Sequence, residues 1–420
     1  MSTSLAHRST SPPAGLAAIP ADRVLEAFGH LLLALFIFFV CFTFLKPSPY
    51  DFIAIPTLAY WLCLGIRLHR AALPFVALLL LYNLGLLLAL IPYLDEPMPV
   101  EWTVQSLYLM ATALFFVMFF ADRTERRVEL GLRAYLASCL FAAGAGIASY
   151  FGGAGGLFFT MDGRAAGVFE DPNVLGSFLI LGALTLGHGL LTGRSRHPVA
   201  ALLGLSVLLL GIFLSFSRGS WAATLVAGAL MAGLTYRTAA TPALRRRLIR
   251  LGLVALVLGG AGIAGLLSVD RIAERFQDRA QVTKDYDEGE TGRFGNQRRG
   301  LPLLLEHPNG LGPLRWRLTF GLDPHNSYIG GFANGGWLGG FAFIGLVLAT
   351  ARVGFRLCLL PSPVQRHAQI VWPALFVFFL QAFQIDVDKW RHVYLMMGLV
   401  WALEAARWRL AAGARSADPA

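Results

Sequence analysis

Runs of apolar residues about as long as a bilayer is thick recur from one end of this chain to the other. They decide what it can fold into. A helix needs roughly 20 mostly apolar residues to cross the hydrocarbon core. Twelve segments approach that length: 27–45, 52–66, 71–91, 102–121, 130–151, 173–191, 199–216, 220–236, 250–267, 327–350, 369–385 and 392–408. Backbone groups in hydrocarbon have no water to bond, so only helices or closed barrels satisfy them. A barrel would show ten-residue strands of alternating polarity, and these runs do not alternate. The expectation is an all-α polytopic membrane protein of about 12 transmembrane helices with one long outer loop. Composition agrees. Hydrophobic residues make up 56% of the chain and charged residues 14%, against about 25% charged in a soluble domain.

The charges orient the bundle. With the N-terminus placed in the cytoplasm, 21 of the 35 Lys and Arg residues fall on the cytoplasmic side. Nine of the remaining 14 lie in the long loop, which leaves five in the short outer segments. Positive-inside counting uses short segments, so 21 against five places both termini in the cytoplasm and the long loop outside. The layout that follows is a disordered cytoplasmic N-terminus (1–26), nine transmembrane helices (27–267), the outer loop (268–326), three more transmembrane helices (327–409) and a cytoplasmic tail (410–420). The first span reads as an uncleaved anchor. The net charge of +10 is a topology signal, and its scatter over many short loops excludes nucleic acid as a partner. The four cysteines lie in or beside apolar segments, so the outer loops have no disulfide frame.

Chemistry is left with few places to sit. The long loop ends in Asp323-Pro324-His325-Asn326-Ser327-Tyr328 and runs into a segment bearing Gly335-Gly336-Trp337-Leu338-Gly339-Gly340. A histidine at such a junction sits at the water–lipid boundary, where an ionisable group can reach a lipid head group. Earlier in the loop, residues 269–280 put apolar positions 269, 272, 276 and 280 on one helical face. That suits a helix in the membrane interface or a solvated linker. Arg293, Arg298 and Arg299 fall within seven residues. Guanidinium forks suit a diphosphate, and an anchor to lipid head groups reads equally well. Arg218, in a short break between spans, and Arg164, ahead of Asp171-Pro172-Asn173, either face a cavity or cap helix carbonyls. The acidic run 285–290 lacks EF-hand spacing and reads as a solvated loop. Asp386 and Asp388 could hold a divalent cation, but beside Lys389, Trp390 and Arg391 they read better as helix-end charges with an interfacial tryptophan. No P-loop, zinc spacing or nucleophile elbow is present.

Over roughly residues 160–400 the chain resembles the O-antigen ligase and polymerase superfamily of bacterial inner membranes. The resemblance rests on ordered pieces: Arg164-x-x-Gly167-x-Phe169-x-Asp171-Pro172-Asn173, Ser217-Arg218-Gly219, an arginine-bearing loop ahead of Glu306-His307-Pro308-Asn309-Gly310-Leu311-Gly312, then His325-Asn326-x-Tyr328 and the glycines at 335–340. It implies a glycosyltransferase that takes a saccharide from a polyprenyl-diphosphate carrier and passes it to an acceptor hydroxyl, lipid A–core for a ligase or a second lipid-linked glycan for a polymerase. The outer face is then the periplasm, and no cofactor or metal is implied. Fixed arginines stabilise charge growing on the leaving diphosphate. Arg218 and Arg293 lead, with Arg164, Arg298 and Arg299 as further diphosphate ligands. His325 takes or orients the acceptor proton. Asn326, Tyr328, Asp171 and Asn173 support the motif. A lipid-linked oligosaccharide transporter is the reading from a different class, and it would place its charges nearer the bilayer midplane.

Overall fold

The computed structural model describes residues 21–45, 47–152, 158–280, 289 and 292–416. Residues 1–20, most of the acidic run 285–290 and residues 417–420 lie outside it, as do the readings made of them. Fifteen α-helices and one β-hairpin are described. In chain order they are α1 (Ala21–Phe38), α2 (Pro49–Cys63), α3 (Leu73–Leu90), α4 (Pro97–Ala121), α5 (Thr124–Tyr150), β1 (Phe159–Met161), β2 (Arg164–Gly167), α6 (Pro172–Thr192), α7 (Pro198–Leu214), α8 (Arg218–Thr238), α9 (Pro242–Leu267), α10 (Asp270–Ala280), α11 (Arg293–Glu306), α12 (Arg315–Phe320), α13 (Ser327–Leu359), α14 (Gln365–Gln381) and α15 (Arg391–Ser416). Each of the twelve apolar runs falls on one of these helices. Seven, α1, α3, α4, α5, α6, α9 and α13, are long and apolar enough to cross a bilayer. The protein is an all-α polytopic membrane protein.

Local chemistry sets where the helices begin. Proline opens α4, α6, α7 and α9, where its missing N–H would be unpaired anyway. Side chains of Asp171, Ser217, Thr241 and Asn326 accept first-turn N–H groups of α6, α8, α9 and α13. Two helices start earlier than the apolar pattern suggests. α1 begins at Ala21, so residues 21–26 are helical, and α8 begins at Arg218.

The ion pairs divide the bundle into two ends. One end gathers Glu26 with Arg123 and Arg126, Asp122 with Arg127, Glu129 with Arg366, and Glu404 with Arg356 and Arg407. The other gathers Arg391 with Asp51, Arg315 with Glu96, Arg317 with Asp323 and His325 with Asp386. Among the described residues no ion pair joins the two sets. Every pair therefore connects residues that charge counting assigns to one side. We call these the basic end and the loop end.

The loop end departs from the sequence reading in three respects. First, the segment between α9 and α13 holds two helices, α11 and α12, beyond the one read over 269–280. α10 neither floats nor merely links: Ile272 is buried, and the Phe276 ring stacks 5.5 Å from Trp221. Second, a short antiparallel hairpin, β1 with β2, carries Arg164. Third, the span expected over 327–350 is not continuous. Gly336 has φ 64° and ψ −166° and breaks α13. The stretch before the break folds back on the stretch after it, so a Cβ on Gly331 would meet Gly340 at 3.4 Å. Tyr328 and Phe343 rings stand 5.7 Å apart. At 1.5 Å per residue, the start of α13 lies about 12 Å from the break along the helix axis.

The motif at 306–312 covers that break. Pro308 accepts the Trp337 N–H at 2.8 Å, and Ala333 accepts the Leu311 and Gly312 N–H groups. α3 packs closely against α13 because both offer glycine at the crossing. A Cβ on Gly85 would lie 2.5 Å from the Gly339 nitrogen.

Candidate active site

Residues 381–388, the end of α14 and the segment leading to α15, hold the His325–Asn326 pair in place. The Ser327 N–H donates to Ala382 O at 2.8 Å, and the Val387 N–H donates to Ser327 Oγ at 2.7 Å. Asp386 Oδ1 accepts the Asn326 N–H at 3.1 Å, and Asp386 Oδ2 lies 3.6 Å from His325 Nδ1. That separation allows charge stabilisation but is long for a hydrogen bond. Asn326 caps α13 by accepting the Tyr328 and Ile329 N–H groups at 3.0 and 3.1 Å. Tyr328 braces the junction, its hydroxyl donating to Phe379 O at 2.7 Å. His325 has φ 44°, a left-handed conformation uncommon outside glycine. Its side chain is 43% exposed, so the ring stays accessible to a substrate.

Two of the predicted arginines border the same segment. Arg293 is the first residue of α11, and its Nη1 donates to Gln384 O at 3.0 Å. α11 is in turn tied to the His325 loop, since Gln297 Nε2 donates to Pro324 O at 2.8 Å and Asn296 Nδ2 to Phe320 O at 3.2 Å. Arg218 is the first residue of α8, capped by Ser217. A Cβ on its neighbour Gly219 would lie 3.6 Å from Gln381 Nε2. Gln381 is bound to Ser177 Oγ, and Ser177 to Ser220 Oγ, both at 3.1 Å. The N-terminal ends of α8, α11 and α13 thus all border residues 381–388. Helix N-termini carry partial positive charge and attract anions.

The other three arginines are used differently. Arg164 is buried, with Nε donating to Ser215 O and Nη2 to Asn173 Oδ1, each at 2.8 Å. It ties the hairpin to the end of α7 and the start of α6, the carbonyl-capping alternative raised by the sequence. Asp171 supports this by capping α6 through the Asn173 N–H. Arg298 and Arg299 are exposed on α11. Arg299 donates to Asn296 Oδ1 and lies 5.6 Å over the Phe320 ring. None of the three is brought to the His325 group by the contacts described.

Asp386 is the residue that sequence reasoning set aside as a helix-end charge. Burial pushes its carboxyl up to about 8, with Asp388 and Asp323 adding repulsion. The Asn326 and His325 backbone N–H groups pull the other way. About a third of the side chain stays accessible. Burial also raises Asp388, and it pushes the Lys389 ammonium down to about 7 against the attraction of Asp388. Lys389 donates to Trp102 O at 2.9 Å. A sequence signal existed: Gln381, Gln384, Asp386 and Asp388 crowd polar groups onto one end of an apolar span. A pocket of about 220 Å³, with Lys389 in its lining, opens between Thr43, Gln105, Asp171, Trp390 and His392.

Compared with known proteins, residues 200–344 match the O-antigen ligase family. The match spans Arg218, Arg293, His325 and the broken α13, and is consistent with the O-antigen ligase and polymerase superfamily. It indicates an enzyme of the ligase or polymerase type. No curated protein matches the chain.

Proposed function

We propose, from the O-antigen ligase match over residues 200–344, that the protein is a glycosyltransferase moving a saccharide from a polyprenyl-diphosphate carrier to an acceptor hydroxyl at the periplasmic face of the inner membrane. The observation that carries this reading is the gathering around residues 381–388: two arginines, three helix N-termini and a histidine beside a carboxylate. Displacing a lipid diphosphate from an anomeric carbon builds negative charge on the leaving oxygen. Preorganised guanidinium groups and helix N-termini stabilise such charge without reorganising. Arg293 and Arg218 take that role. The acceptor hydroxyl must shed a proton as the new glycosidic bond forms. His325 Nε2 accepts it, and Asp386 at Nδ1 steadies the imidazolium. Lipid A–core is the acceptor we assign, which makes the protein an O-antigen ligase. A deletion strain tests this: polymer lost from lipid A but kept on the carrier means a ligase, whereas single repeats on lipid A mean a polymerase.

The chemistry itself is tested by His325→Ala in a purified transfer assay. Loss of a general base reduces rates by about 10²–10⁴-fold, and normal transfer by this variant would remove His325 from the mechanism. Transfer should also persist in EDTA, because guanidinium supplies the charge stabilisation. Sensitivity rescued by Mg²⁺ would instead make Asp386 and Asp388 candidate ligands.

One observation favours a second reading. α13 is broken at Gly336, and secondary transporters build substrate sites from discontinuous helices. A transporter moves the lipid-linked glycan across a bilayer and leaves its diphosphate linkage intact. Transfer to an acceptor in detergent, where there is no bilayer to cross, rejects that reading. Transbilayer movement without transfer supports it.

A further inference from the structure

A second pocket, of about 300 Å³, lies at the basic end, away from the His325 group. Its polar lining is Arg67, His69, Asp122, Arg127 and Arg409, with Trp61 on its wall. Three guanidinium groups face one carboxylate. Arg127 is only 4% exposed. Its Nη1 donates to Phe119 O at 2.8 Å, and its Nη2 lies 3.2 Å from Asp122 Oδ2. The guanidinium is held 4.8 Å from the Trp61 ring and 4.5 Å from the Phe119 ring. Its Nε has no hydrogen-bond partner among the described residues. A buried cation with an unmet donor is unfavourable, and Asp122 compensates weakly because its side chain is 57% exposed. Arg409 donates to Thr124 Oγ1 at 3.2 Å, and Arg67 is exposed. His69 reports the same positive field. Its Nδ1 accepts the Ala71 N–H, and burial together with Arg409 and Arg70 holds the imidazole below its ordinary value.

An anion would satisfy this pocket, and its surroundings indicate which kind. Leu64 and Leu68 line the pocket and, with neighbouring Leu62, stand exposed, so apolar surface adjoins the basic groups. We propose that the pocket binds the phosphate of an anionic phospholipid head group, with acyl chains lying against Leu62, Leu64 and Leu68. Arginine forks suit phosphate, and basic pockets between membrane helices are recognised sites for acidic head groups. The site is independent of the transfer reaction and stands whether or not the proposed function holds.

Native mass spectrometry of the full-length protein in detergent tests it, with dioleoyl phosphatidylglycerol titrated against dioleoyl phosphatidylcholine. The expected result is one phosphatidylglycerol retained per chain at concentrations where phosphatidylcholine is not. Arg127→Lys keeps the charge but loses the fork, and should bind less. Because Arg127 packs against two aromatic rings, a rim variant guards against misfolding. Arg67→Ala with Arg409→Ala changes two exposed residues and should weaken retention about thirtyfold. Equal retention of the two lipids, or undiminished retention by the rim variant, overturns the proposal. Inorganic phosphate that binds alone and displaces the lipid, with the same dependence on the arginines, overturns the lipid assignment in favour of a free anion.

Discussion

At the scale of single residues, the site turns on which groups share a neighbour. The sequence put Arg293 ahead of Arg298 and Arg299 among the loop arginines, and helical geometry separates them. Arg293 shares the face of Asn296 and Gly300 that turns toward the rest of the loop end, while Arg298 and Arg299 face outward. Arg293→Lys should therefore cut transfer at least about tenfold by losing the bidentate fork, and Arg298→Lys should leave it near normal. Equal loss in both would mean that bulk charge suffices. Asp386 gives a pH signature. Its carboxyl sits near 8 in the folded protein, against about 3.9 in a free chain. Between those values the folded state holds a proton that the unfolded chain has released. The stabilisation is thus full below the lower value and is lost as pH rises through 8. Thermal stability should fall as pH rises from about 4 to 8 in the wild type and level off above that, and fall less steeply in Asp386→Asn. Transfer should rise as pH passes through about 8 and the carboxylate forms to steady His325, and the asparagine variant should lose that rise. Matching profiles in the two proteins would sever Asp386 from His325. The His-Asn pair, Arg218 and Arg293 stood out in the sequence because their residue types contrast with hydrocarbon. Asp386 did not, because its partner lies 61 positions away along the chain and only folding brings the two together.

At the scale of elements, the broken α13 and the segment 306–312 form one device. The break lets residues 327–335 run back beside 337–345, so the chain reaches His325 within the bundle end and then turns to cross the membrane. Gly336 is irreplaceable on two grounds. Its φ of 64° is left-handed, and a Cβ there would sit 2.4 Å from Pro308 O. Backbone strain of this kind amounts to about 1–3 kcal/mol, before the clash is counted. Gly336→Ala should lower the melting temperature and abolish transfer together, whereas Gly321→Ala, strained at φ 76° but with open space, should lose stability alone. Transfer unaffected by Gly336→Ala would show that the break does not position His325. The apolar periodicity could not foretell the break. Glycine and tryptophan satisfy a hydropathy count whether the helix is straight or folded back.

At the scale of the whole molecule, the twelve apolar runs carried most of the helical architecture. Hydrocarbon restricts the backbone to so few solutions that each run lands on a helix. The hairpin bearing Arg164 and helices α11 and α12 escaped notice, since water permits many conformations there, whereas the apolar face of 269–280 did mark α10 as a helix. Sidedness is checked by cysteine labelling in a background lacking the exposed Cys63. Arg298→Cys should react with an impermeant reagent applied from the periplasm, and Arg246→Cys only after the inner face is opened. The reverse pattern would invert the topology. α9 separates two kinds of constraint. Only Leu248 is buried along its 26 residues, and Gly252, Gly259, Gly260, Gly262 and Gly265 have no atom within 4 Å of a built Cβ. Those positions answer to the lipid and not to a neighbour. In terms of mutational tolerance, a saturation library should find α9 accepting any apolar residue at these glycines. Gly85, Gly335 and Gly339, which let α3 and α13 touch, should accept almost nothing. The same residue type would then be freely exchangeable in one helix and fixed in another, within a single bundle.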